Sequence, residues 1–352
     1  MKIETQLPLG HLDPGLRAAA GVLDLARVGD EARLAEALGY DRIVTEETKD
    51  DPFTVLALAA HTTRRIGLAT GVAIAFPRAP AVTALAAWTL QRLSNGRFTL
   101  GLGSQVKGHI ERRYGMRWSP AGPWMRDYVG ALRAIWTCWQ AGGSKLDYRS
   151  EHYTLSLMVP LFAPPPIAHP HIPIQLAAVN PYMCQVAGEV ADGIRAHPVC
   201  TPQYIADVML PAARKGAAKN GRELAEFEMA VMPLIATAPD KARLAARVRD
   251  VRARIAFYAS TPTYLIAFES QGYGEVARTL QTYSRAQRWD EMPAHVSDEM
   301  LDRYAVIGTH DEIAGKLRER FAAVATHLEF AIPIAKDADK AALQDLLASL
   351  RQ

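Results

Sequence analysis

Eight short β-rich runs recur along the chain, and helical patterns separate most of them. The runs are KIETQL, YDRIVTE, RIGLATGVAIA, RFTLGLG, IPIQLAAV, GIRAHPV, EFEMAVMPLIATA and HLEFAIPIA. Stretches such as ARVGDEARLAEALG, TPQYIADVMLPAARKG and DEIAGKLRERFAAVA carry apolar residues at three and four spacing, the mark of an amphipathic helix. Near-continuous apolar strands alternating with helices predict a parallel sheet buried on both faces, and eight such units close a (β/α)8 TIM barrel. A doubly wound sheet in two domains is the second architecture this pattern permits. The length of 352 residues suits a single barrel domain over 1–352. Two segments depart from the repeat. LDYRSEHYTLSLMVPLFAPPP reads as a hairpin near 146–160 followed by a proline-rich connection, and a long helical insertion occupies about 250–306.

Composition removes several classes of function. Lys plus Arg number 40 against 37 Asp plus Glu, so no global field recruits nucleic acid or membrane. Cys138, Cys184 and Cys200 form no CxxC pair, which argues against a disulfide framework or structural zinc and for a reducing cytoplasm. The start MKIETQLPLG has no apolar signal region, and no run approaches membrane-spanning length. His169 and His171 lack helical ligand spacing and HExxH is absent, so no metal site is expected; GxSxG and GxxxxGK[ST] are absent too.

The segment FTLGLGSQVKGHIERRYG resembles a dinucleotide fingerprint only in part. Gly101, Gly103 and Gly108 do not complete GxGxxG, because Val106 stands where a glycine is needed, and the run follows the fourth strand rather than the first. In a barrel, GLGSQ would instead deliver a small, backbone-exposed surface to the C-terminal mouth, where glycines let a planar ligand approach the main chain.

Three motifs in order, RIGLATGVAIAFPRAPAVTALAAWTLQRLSNGRFTLGLGSQ, PIQLAAVNPYMCQVAGEVADG and YAVIGTHDEIAGKLRERF, resemble the bacterial luciferase-like family of flavin- and deazaflavin-dependent oxidoreductases. More narrowly they are similar to its coenzyme F420-dependent members. The resemblance implies a TIM barrel with the cofactor ring against strands two to four and its phosphate near the start of the fifth helix. It also implies a bulge with a cis peptide at Gly71–Val72, where the residues alone would read as a plain strand. By the same resemblance Thr70, Gly71, Val72, Gly103, Ser104 and Gln105 border the ring, and Ala178, Val179 and Asn180 border the phosphate. Asn180 before Pro181 also reads as a helix cap, a role compatible with phosphate binding by free N–H groups. Gly188 and Gly193 read as structural, with Gly193 closing that helix.

Lys107, His109 and Arg113, within a run that also holds Arg112 and Arg117, would pair with phosphate or with the glutamate tail of F420, or form a solvated face. Glu46 and Glu47 end the second strand. Paired carboxylates there would leave one acid protonated near neutral pH, or else both would bond the cofactor or cap the next helix. Relatives with a proton-handling carboxylate after the fourth strand would align it with Val106, so their scheme does not transfer. His197 ends the sixth strand, as a substrate-facing group or a loop anchor. Aromatics between Tyr258 and Tyr304 form a substrate lid or a homodimer surface.

The expectation is an F420-dependent oxidoreductase that moves hydride to or from an unidentified, apolar small molecule. Two alternatives stand. One is an FMN-dependent monooxygenase fed by a flavin reductase and using oxygen; the other is a non-catalytic cofactor-binding protein, for which Val106 is the warning.

Overall fold

The computed structural model describes residues 1–10, 23–143 and 145–352. Eight parallel strands form the barrel: β1 Lys2–Gln6, β2 Arg42–Thr45, β3 Gly67–Thr70, β4 Phe98–Gly103, β5 Ile174–Ala178, β6 Gly193–Ala196, β7 Glu228–Val231 and β8 His327–Glu329. Each pairs with the next in sequence, and β8 returns to β1 with Lys2 opposite His327, so the ring has no free edge.

Helix starts follow strand ends with a repeated local signal. Pro52–Thr62, Pro80–Leu93 and Pro181–Val190 all begin on proline, whose fixed φ suits the first helical position and whose missing N–H costs nothing there. Asp51 and Asn180 cap two of them, accepting from Thr54 N and Met183 N at 2.9 Å each.

Alternation along the strands divides apolar from polar. Ile3, Ile43, Leu100, Leu102, Ile194 and Leu328 are fully buried with the helices in one large core. Their neighbours turn into the barrel, and this interior is charged. Glu4 of β1 meets Arg195 of β6 at 2.8 Å and Arg42 of β2 at 3.0 Å, while Arg42 grips both carboxylate oxygens of Glu228 on β7. Gln175 of β5 links Arg195 at 3.0 Å to Glu228 at 2.5 Å. Five side chains on five strands thus close a hydrogen-bonded ring across the barrel, satisfying charges that would otherwise be costly to bury. A continuous apolar filling is therefore not what these strands supply.

Two runs read as single strands are divided. EFEMAVMPLIATA gives β7, then Met232 and Pro233, then Leu234–Ala238, which leaves the barrel and pairs in parallel with Ala305–Thr309. Pro233 has no N–H for a ladder, and the chain turns there. RIGLATGVAIA breaks after Thr70 and resumes as Ala73–Ile74 beside Leu102–Gly103 of β4. Gly193 is a second correction. The helix Pro181–Val190 ends on Ala191 in extended conformation, and Gly193 opens β6, where a Cβ would lie 2.6 Å from the Glu228 carbonyl. Gly188 is structural: its helix crosses Leu210–Lys219 so closely that a Cβ would lie 1.9 Å from Ala213 O.

The hairpin is present at Tyr148–Arg149 and Thr154–Leu155. In the late insertion, Lys241–Ala259, Gly274–Arg285 and Asp298–Tyr304 are helices. Its aromatics serve mainly to pack it: Phe268 is fully buried against Tyr304, ring centres 4.7 Å apart, and Tyr273 lies 6.0 Å from Tyr304.

Candidate active site

The C-terminal ends of the strands gather most of the residues singled out above. On the β3–β4 side, the Gly71–Val72 peptide is cis. The buried Thr70 hydroxyl donates to Gly101 O at 2.7 Å and accepts from Gly101 N at 2.8 Å, fixing the end of β3 to β4. Glycine has a packing reason here. A Cβ on Gly101 would sit 1.9 Å from the Thr70 carbonyl, and one on Gly103 would sit 2.5 Å from the Val72 side chain. One on Gly71 would meet Val44 at 2.2 Å and Arg195 at 3.2 Å. The Cβ direction at these glycines is thus filled by protein, so they admit the neighbouring strand as well as exposing main chain.

Beyond β4, Gln105 takes a left-handed conformation at φ 56° and its side chain accepts from Val106 N at 2.9 Å, while Ser104 bonds the Gln105 carbonyl at 3.2 Å. This tight turn starts the short helix Lys107–Arg112. Lys107, His109 and Arg113 are all exposed; Lys107 lies 3.8 Å from Glu111 and Arg113 lies over the Tyr114 ring. Beyond β5, Ala178 is buried, the Val179 carbonyl accepts from the Tyr204 hydroxyl at 2.8 Å, and Asn180 occupies the helix cap. Backbone N–H groups of a helical first turn and a cluster of exposed cations on the neighbouring element are a donor set that suits an anionic cofactor with a phosphate and a carboxylate tail.

A cavity of about 330 Å³ opens on the other side of the mouth, between the ends of β1, β2, β6, β7 and β8. Gln6, Glu46, Met232, Glu329 and Phe330 line its floor, and Tyr258 with Arg254 on the helix Lys241–Ala259 roofs it. Of the aromatics between Tyr258 and Tyr304, Tyr258 alone borders this cavity. Of the fifteen site residues named from the sequence, Glu46 alone lies on this wall.

The acids divide sharply. Glu47 is held by Ile74 N at 2.8 Å and Arg78 at 2.5 Å, so its carboxylate fastens the segment after the β3 break. Glu46 is exposed at the rim, 3.5 Å from the Thr48 hydroxyl. His197 is clasped by Tyr264 and Tyr258, with ring centres 4.0 and 4.6 Å away, and burial pushes it down to about 3. Its Nδ1 accepts from Val199 N at 3.4 Å, so a neutral ring with its proton on Nε2 anchors the loop. Its neighbour Pro198, not the imidazole, lines the cavity.

The residue sequence reasoning passed over is Glu329, the last of β8. Burial raises its pKa, Arg195 opposes, and the Glu4 and Glu46 charges add to the rise, which reaches about 7; Gln6 donates to it at 3.3 Å. Glu4 shows the opposite balance: burial would raise it, but Arg195 and Arg42 hold it at about 2. The alternation H-L-E in HLEFAIPIA was the available signal, since an acid two residues from an inward histidine shares its face.

Comparison with known proteins agrees with this architecture. The chain is 41% identical over 322 residues to an uncharacterized protein of Mycobacterium tuberculosis, covering 91% of this chain and 94% of that one. It is 28% identical to a 5,10-methylenetetrahydromethanopterin reductase of Archaeoglobus fulgidus, covering 88% and 90%. The fold matches the coenzyme F420-dependent tetrahydromethanopterin reductase of Methanopyrus kandleri with a TM-score of 0.75 at 20% identity, over 99% of this chain and 97% of that one. The family model described as luciferase-like monooxygenase matches residues 7–327, and with the closed barrel, its interrupted third strand and the ordered motifs, this places the chain in the luciferase-like family.

Proposed function

We propose that the protein is an F420-dependent oxidoreductase acting on an apolar small molecule. The observation that carries this reading is the division of the barrel mouth. Main-chain donors and exposed cations lie at the ends of β4 and β5, and an acid-bearing cavity lies at the ends of β8, β1 and β2. A hydride donor and its acceptor need adjoining places of this kind.

On this reading Thr70, Gly71, Val72, Gly103, Ser104 and Gln105 form the wall for the ring. The N–H groups around Ala178, Val179 and Asn180 hold the phosphate, with the Asn180 side chain occupied by its cap. Lys107, His109 and Arg113 gather the carboxylates of the tail. F420, when bound, supplies two-electron hydride chemistry; the chain's own part is to orient it, keep water from the ring and manage the accompanying proton. The similar methylenetetrahydromethanopterin reductase and the coenzyme F420-dependent tetrahydromethanopterin reductase support the cofactor.

Equilibrium titration of purified protein with F420 and with FMN in parallel, followed by fluorescence, tests the reading. Saturable binding of F420 with much weaker binding of FMN is expected. Tight FMN binding without F420 binding would replace it with the monooxygenase reading.

A further inference from the structure

Hydride transfer to a C=O, C=N or conjugated C=C bond leaves an electron pair on the atom at the far end of the broken π bond. A proton must arrive there. The residues expected from the sequence do not supply it. Val106 has no acid, Glu47 is bound to Arg78 and Ile74 N, His197 is outside the cavity wall, and Glu4 is locked between two arginines below the cavity.

We propose that Glu329 is the proton donor and acceptor of the reaction, acting from the cavity wall on a bound carbonyl, imine or activated alkene, with Glu46 on the same wall. This rests on the F420 reading and deepens it. Glu329 stands at the C-terminal end of a barrel strand, the position from which barrel enzymes present their working groups. Beside it Met232, Phe330 and Tyr258 offer the apolar body of a substrate its contacts. The balance is simple. With F420 supplying the hydride to carbon, the π bond would break, its electron pair would take the Glu329 proton, and Glu329 would be left as a carboxylate that solvent reprotonates through the open cavity. In the oxidative direction the same carboxylate takes the proton from the alcohol, amine or saturated carbon.

The charged groups around Glu329 explain why it can do this near neutral pH. Burial and the charges of Glu4 from β1 and Glu46 beyond β2 disfavour its ionised form. Arg195 from β6 and the Gln6 amide oppose them without cancelling them. Lys49, Arg247, Asp250 and Arg254 lie around the same cavity. The result is an acid at about 7, available in both states at the pH where it must work.

The test uses the full chain without cofactor and a 2-diazo-2-arylacetamide as probe. This reagent esterifies a carboxylic acid only after the acid protonates the diazo carbon; the carboxylate then bonds to that carbon and dinitrogen leaves. The label therefore reports proton delivery to a carbon atom within the cavity. Peptide mass spectrometry at pH 7 is expected to find Glu329 labelled at least about tenfold more than any surface acid, with labelling falling as the pH rises through about 7. Glu329→Gln should remove the labelled peptide. Glu46→Gln should keep it but move its midpoint to lower pH, because a neighbouring negative charge is gone. Labelling of Glu329 no greater than that of surface acids would overturn the proposal, as would a midpoint in the ordinary carboxylate range. Since no cofactor is present, this outcome is separate from the F420 titration, and failure of one does not mimic failure of the other.

Discussion

At the scale of single residues, two glutamates on neighbouring strands have their carboxyls shifted in opposite directions. Glu4 and Glu329 are directly opposed in the pairing of β1 with β8. Glu4 is ionised because two guanidiniums reach it; Glu329 resists ionisation because burial and the neighbouring carboxylates outweigh Arg195. The difference has a sign that stability can measure. The unfolded chain ionises Glu329 near 4.5 and the folded chain near 7, so the folded state binds more protons between these values. Below about 4.5 both states are protonated and no penalty exists. As the pH rises through the window the unfolded state gains, and above 7 the penalty is complete. Denaturant unfolding of Glu329→Gln against the parent should show a stability advantage growing from pH 4.5 to 7 and then level, by about 3 kcal/mol at most. An advantage independent of pH would show that the carboxyl is not perturbed.

At the scale of elements, the end of β3 and the start of the helix Pro181–Val190 make contrasting demands. Gly101→Ala would push a Cβ against the Thr70 carbonyl, a backbone atom with no rotamer to yield, so a loss of at least ~1–3 kcal/mol is expected in thermal or denaturant unfolding. Asn180→Ala removes one cap bond and should cost about 1 kcal/mol. On the proposed reading it should weaken F420 binding only modestly, since the main-chain donors stay. A complete loss would make the side chain the principal ligand.

These elements also show what could be read beforehand. The β-rich runs and the Asn-Pro helix start are local signals, and they located the eight barrel strands and this helix, although two of the runs are divided. The division of EFEMAVMPLIATA depended on one proline inside an apolar run, a weak cue against strong β-propensity. The charged ring of Glu4, Arg42, Gln175, Arg195 and Glu228 was not legible at all, because its members lie on strands far apart in sequence. For the same reason the packing role of Gly101 and Gly103 was hidden, because the Thr70 carbonyl and Val72 that fill their Cβ positions lie on another stretch of chain. Glu329 was missed because its perturbation comes from burial and from Arg195, Glu4 and Glu46, none of them near it in the chain.

At the scale of the whole molecule, the helix Lys241–Ala259 roofs a cavity on one side of the mouth, while the basic helix Lys107–Arg112 borders the other. Among the described residues no helix is long and apolar enough to cross a membrane. If the basic helix gathers the F420 tail, affinity should fall with added salt, because exposed pairs are screened over about 8 Å at physiological ionic strength. Lys107→Ala should then weaken binding of F420 with a long glutamate tail more than binding of the tail-less deazaflavin fragment in parallel titrations. Equal losses would assign Lys107 to the ring or to folding.

The most direct measurement is a crystal structure of the protein saturated with F420. It is expected to show the ring against Gly71–Val72 and the end of β4, the phosphate on N–H groups between Ala178 and the first turn after Asn180, and the reactive face of the ring open to the cavity of Glu329. A ring lying elsewhere, or one whose reactive face is walled off from that cavity, would contradict the account.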